Sequence, residues 1–236
     1  FKKIWVAVKK MPKPFVRCVP SFCLSFVAIY QYGIAFTDFM GAEIMHGNNS
    51  DDASSEMKKL YQRGVSWAMM CNSVNNVTQL IYGFLNNKVC EIIGMKWAMV
   101  IGGLLISVSL LLFLFVKNKY AFLGLTGLIG LGNVIYMAIP YAIVSIVIPT
   151  EELGNNLGIL NCFCVIGQQL SNFIIGSGVG RLVNNSSGKK IGFSAIFGFL
   201  TTIASFWVVE PTLGEAGQYQ SMNDNPTDFT YISEIN

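Results

Sequence analysis

Long apolar runs separated by short polar breaks fill most of the chain. Six runs stand out, at about residues 15–37, 65–85, 97–116, 121–148, 157–179 and 191–209. Each is near or above the ~20 residues that a helix needs to cross ~30 Å of hydrocarbon. None shows the strict two-residue alternation of an outer-membrane strand, so the runs predict helices. The pattern predicts an all-α membrane protein, a six-transmembrane-helix bundle over residues 15–209, with lipid as its solvent. A basic cytosolic segment is expected at 1–14. A disordered tail is expected at 210–236, where Gly, Asn, Asp and Ser replace any apolar period. Within it Tyr219-Gln220-Ser221-Met222 fits either a tyrosine-type sorting signal or a chance match in a solvated segment.

Composition agrees with the pattern. Hydrophobic residues make up 53% and charged residues 12% of the chain, against about 25% charged in soluble domains. The net charge of +3 implies no nucleic-acid partner, because the basic residues lie in short loops and form no basic and aromatic surface. The six cysteines contain no CxxC pair and the single histidine, His46, stands alone, so neither metal nor cofactor is expected. There are no paired carboxylates inside a span and no nucleophile with a base, so an enzyme is not expected. The chain starts at Phe1 rather than Met. It is expected to be a fragment of a longer protein, a gene model missing its start, or a true half-length protein.

Six spans put both termini on one side. Lys and Arg flanking the spans number eight on each side, so the orientation rests on the cations before the first span, which place the termini in the cytosol. Sequons at Asn48, Asn184 and Asn185 fall in the loops then assigned outside. Plasma membrane and vacuole-like membranes both fit.

Polar residues inside the spans carry the candidate chemistry. Asn72, Asn76 and Gln79, with Gly83, share one face of the second run, and Asn75 flanks it. Asn161, Gln168 and Asn172 repeat the theme on the fifth run, with Gln169 beside them, and the fourth offers Asn133, Tyr136 and Pro140. Amides facing lipid are costly, so the stripes must face other helices or a watery cavity. Such groups exchange hydrogen bonds with hydroxyl-rich solutes, and an aromatic ring stacks on a sugar face. They equally serve as interhelical hydrogen bonds that fix packing; two stripes together favour the cavity. Glycines crowd the start of the fourth run (Gly124, Gly127, Gly130, Gly132) and the end of the fifth (Gly176, Gly178, Gly180), a pattern that predicts close helix packing. Pro140 predicts a kink suited to gating. Asp38, directly after the first run, is either a coupling carboxylate at a cavity mouth or an ordinary interfacial residue.

Five segments carry a resemblance. Gly83-Phe84-Leu85-Asn86-Asn87-Lys88, followed by Gly94-Met95-Lys96, is similar to a degenerate copy of the major facilitator signature between second and third helices. Residues 37–47 (Thr-Asp-Phe-Met-Gly-Ala-Glu-Ile-Met-His-Gly) resemble the T-D-W-M-G-x-E-x-x-x-G stretch of the sucrose-transporter family, within the glycoside–pentoside–hexuronide:cation symporter group. Tyr61-Gln62-Arg63-Gly64-Val65 with Asn72-Ser73-Val74 is similar to its eighth-helix opening. Ala138-Ile139-Pro140-Tyr141-Ala142-Ile143-Val144-Ser145 resembles its A-I-P-[FY]-A-x-x-S motif, and Leu157-Gly158-Ile159-Leu160-Asn161 with Gln168 its L-G-x-L-N…Q stretch. Order and spacing fit the C-terminal half of that family over about residues 15–210. Phe39 stands where Trp is usual, and Ala42 where a basic residue is usual.

The resemblance implies proton-coupled uptake of a sucrose-like disaccharide by alternating access in a twelve-helix fold. It implies a sugar substrate, protons as the coupling ion, membrane lipid and an absent N-terminal six-helix half as partners, and Asp38 as the transferable coupling position. The alternatives are a facilitator of another small solute and a non-transporting half-length membrane protein.

Overall fold

The computed structural model describes residues 11–211. The start of the basic segment, nearly all of the tail, and the Tyr219 signal lie outside the described residues. Six helical rods follow one another. They are α1 (Lys13–Asp38), α2 (Ser55–Ile93), α3 (Met95–Leu112), α4 (Ala121–Val147), α5 (Thr150–Ser171) and α6 (Ser187–Ser205). A π-helical segment, Phe39–Ile44, prolongs α1. A second one, Asn172–Val179, prolongs α5 and leads into a last turn, Gly180–Leu182. Four of these rods are long and apolar enough to cross a membrane: Lys13–Ile44, Met95–Leu112, Ala121–Val147 and Thr150–Leu182. Of the other two, α2 carries amides and charges along its length, and α6 carries Lys189, Lys190 and a series of hydroxyls.

Two boundaries differ from the expected ones. Asn86, Asn87, Lys88 and Glu91 read as a loop after the second run, yet α2 continues through them to Ile93. No Gly or Pro interrupts 84–93, and polarity alone does not end a helix. The turn is Gly94 alone, at φ 84°, where Glu210 Oε1 accepts the backbone N–H of Lys96 at 3.3 Å. The fifth helix begins at Thr150, seven residues before the apolar run. Pro149 precedes it, and Glu151 and Glu152 occupy its first turn, where carboxylates complement the helix dipole.

The central rod is α1, which packs on α4, α5 and α6, while α2 packs on α4 and α3 on both α4 and α6. Glycines set the closest approaches. A Cβ at Gly64 would stand 2.4 Å from the Met40 carbonyl, at Gly130 2.6 Å from that of Asn75, and at Gly167 2.5 Å from that of Cys23. Of the fourth-run glycines, Gly130 and Gly132 meet neighbours closely, whereas Gly124 faces open space. Tyr32, Phe36, Phe39, Phe113 and Phe122 form an aromatic cluster, with ring centroids 5.0 Å apart for Phe113–Phe122 and 5.2 Å for Phe39–Phe122. It ties the end of α1 to the end of α3 and the start of α4.

Candidate functional site

Polar side chains of α1, α2, α4 and α5 meet between the helices or keep open surface, and they divide into two groups. The first is bonded into packing. Gln31 of α1 is 1% exposed, and its amide donates to the Ser171 carbonyl at 3.1 Å. Ser171 Oγ in turn donates to Val27 O at 2.8 Å. The buried amide of Asn75 donates to the Thr126 carbonyl at 2.8 Å and accepts from Gln79 Nε2 at 2.6 Å. Asn75, the flanking residue in the sequence pattern, is therefore the hub of the α2 stripe.

The second group keeps open surface. Asn72 is half-buried and accepts the Tyr32 hydroxyl at 2.7 Å. Asn76 is exposed, while Gln79, Asn133, Gln168 and Asn172 are half-buried. Asn161 is exposed and accepts the hydroxyl of Tyr141, the residue after the buried Pro140. Gln168 Nε2 points to Cys164 Sγ at 3.5 Å. The arrangement offers amide N–H donors, amide oxygens and the Tyr141 phenol on α2, α4 and α5.

Tyr136 is corrected by the structure. It is 1% exposed, its hydroxyl donates to Met99 O at 2.7 Å, and it stands 2.8 Å from Ser205 Oγ. It joins α3, α4 and α6. An aromatic hydroxyl in a span finds a partner whichever way it faces, so spacing alone did not separate the two roles.

Asp38 lies at the end of α1. Its Oδ1 accepts the Tyr61 hydroxyl at 3.1 Å and its Oδ2 accepts Ser187 Oγ at 2.6 Å. Glu43 accepts Ser186 Oγ at 3.0 Å and the Gly188 N–H at 3.1 Å, closing the N-terminus of α6. Two carboxylates from one motif thus tie α1, α2 and α6 together. Burial and the Asp38 charge push the Tyr61 phenol up. A Cβ at Gly41 would stand 2.7 Å from the Tyr61 ring, so the motif at 37–47 and the one at 61–65 form a single contact surface. Sequence reasoning missed Glu43, Ser187, Gln31 and Tyr141; a lone amide in an apolar run was the available signal for Gln31. Among the described residues, no three His, Cys, Asp or Glu side chains meet to hold a metal ion.

The sequence profile of the Major Facilitator Superfamily matches residues 5–224. The chain belongs to this superfamily. Its members are transporters rather than enzymes, and the apolar rods are those of an integral membrane protein. Among Major Facilitator relatives, the "Membrane-associated transporter protein" of Mus musculus is 23% identical over 198 residues, covering 78% of this chain and 37% of the relative. "Solute carrier family 45 member 4" of Homo sapiens is 21% identical over 234 residues, covering 90% of this chain and 29% of the relative. The chain therefore spans about a third of the curated relatives it matches. The inward-open xylose transporter XylE from E. coli shares the fold with a TM-score of 0.59 at 14% identity, over 94% of this chain and 53% of that one. The six rods are half of a facilitator fold.

Proposed function

We propose that this chain is the C-terminal half of a proton-coupled sugar symporter that works by alternating access on a sucrose-like disaccharide. The observation that carries the reading is the partly open amides of α2, α4 and α5, with the Tyr141 phenol beside them, which we read as one wall of a cavity. Sugar hydroxyls would exchange water for hydrogen bonds to Asn72, Asn76, Gln79, Asn161 and Gln168, and Asn133 extends the wall on α4. Facilitators place substrate between two six-helix halves, so the wall needs a second half to become a cavity. The motifs at 37–47 and 138–145, and a fold that in XylE carries xylose, support a sugar over other solutes.

Asp38 is proposed to contribute charge at the mouth of the cavity, with the proton as coupling ion and both termini in the cytosol. Its bonds to Tyr61 and Ser187 hold α2 and α6 to α1, and a protonation event elsewhere would bias the two transport states.

The test is uptake by the full-length parent in proteoliposomes with an imposed proton gradient. Labelled sucrose, maltose and xylose would be compared with an organic cation. Sugar uptake that collapses with a protonophore is expected. Uptake of the cation alone sinks the sugar reading, and gradient-independent sugar uptake sinks the coupling. Gln79→Leu should impair uptake while leaving membrane insertion intact; unchanged kinetics would remove Gln79 from the cavity.

A further inference from the structure

We propose that the Ser55 end of α2 carries a binding site for an anionic phospholipid, independent of the solute pathway. Lys59, Arg63 and Lys119 supply the headgroup contacts. The site is an open pocket of about 650 Å³, whose lining holds these three cations and no carboxylate. Lys119 Nζ stands 5.0 Å from the Trp67 ring and 5.1 Å from the Tyr120 ring. The Trp67 indole N–H donates to the Lys119 carbonyl at 2.9 Å. The polypeptide before α4 is thereby fastened to α2, and aromatic faces rather than an acid hold its ammonium group. Trp67 and Tyr120 sit at the edges of the second and fourth apolar runs, where such rings occupy the headgroup layer.

The spacing decides for a lipid over a soluble anion. Lys59, Arg63 and Met70 recur at helical intervals on one face of α2. Val77, Ile81 and Phe84 continue that same face, 55%, 57% and 80% exposed. From Met70 to Phe84 the helix rises about 21 Å, more than the ~15 Å of one hydrocarbon leaflet. Cations, then interfacial aromatics, then an apolar stripe follow one another as phosphate, glycerol and acyl chain do in a phospholipid. A free phosphate would use only the first part.

The experiment is native mass spectrometry of the purified full chain, with phosphatidylglycerol or phosphatidylcholine added. Several-fold preferential retention of phosphatidylglycerol is expected. Arg63→Gln combined with Lys119→Gln should abolish that preference without loss of helical circular dichroism, while Arg63→Lys should keep it. Equal retention of the two lipids, or an unaffected double variant, overturns the proposal. Competition by inorganic phosphate would identify a soluble-anion site and overturn the lipid reading. A benzophenone placed at Ile81 provides a measurement that leaves the cations untouched. Labelling of lipid is expected, and labelling of another protein segment in its place shows that the stripe is covered by protein and overturns the proposal.

Discussion

Phe39 illustrates how one side chain can differ from a resembling motif and still fill the core. It replaces the tryptophan of the motif, yet it is fully buried and touches Phe113 and Phe122. Here an aromatic ring without an indole N–H fills the position. Phe39→Ala should therefore destabilise the bundle by about 3–5 kcal/mol, read as a lowered midpoint of thermal unfolding in detergent; a shift near zero would mean the cluster closes around the gap. The amides teach the complementary lesson. Helical spacing picked out Asn72, Asn76 and Gln79, but Asn75, one position aside, makes the interhelical bond to Thr126. A period of 3.6 residues fixes a face only to within a wide stripe, and the partner that decides between packing and cavity sits on a distant part of the chain. Tyr136 was misplaced for the same reason.

At the level of helices, each apolar run overlaps one of the six rods, and four of the rods are apolar and long enough to span a bilayer, where an unpaired backbone group is costly. Their ends were less legible. Asn86–Ile93 looks like a loop by polarity and is helix, whereas Gly94 and Pro149 mark true boundaries. The π-helical segments after Asp38 and Ser171 had no periodic signature in the sequence. Packing between rods depends on glycines whose density, though not their partners, is visible in the sequence. Gly130→Val tests this at the α2–α4 contact, where any Cβ meets the Asn75 carbonyl. The two helices must separate, with a cost of at least about 1–3 kcal/mol and loss of the Asn75–Thr126 bond. Thermal unfolding of the variant should show the drop, and unchanged stability would mean that α4 moves aside freely.

For the whole molecule, the wall is one-sided. The side chains proposed to meet solute keep open surface in this six-helix bundle, and the relatives are about two to three times as long. The chain reconstituted alone is expected to give no sugar uptake, and co-expression with the upstream half to restore it. Uptake by the chain alone would point to a pair of identical halves. The two amide stripes were legible in the sequence; the buried Gln31 and Tyr32 of α1, which bond to Ser171 and Asn72, were not, because they stand side by side rather than at helical spacing.

The joint at Gly94 has a mechanical consequence. A helix of 39 residues is about 58 Å long, nearly twice the ~30 Å of hydrocarbon, and a single residue separates it from α3. Such a connection has no slack. A tilt of α2 at its Ser55 end is delivered to α3 as a push or pull, as a crank delivers motion to its rod, and α3 hands it on to α6. Two flexible residues inserted after Gly94 would loosen the crank at the turn that Glu210 closes.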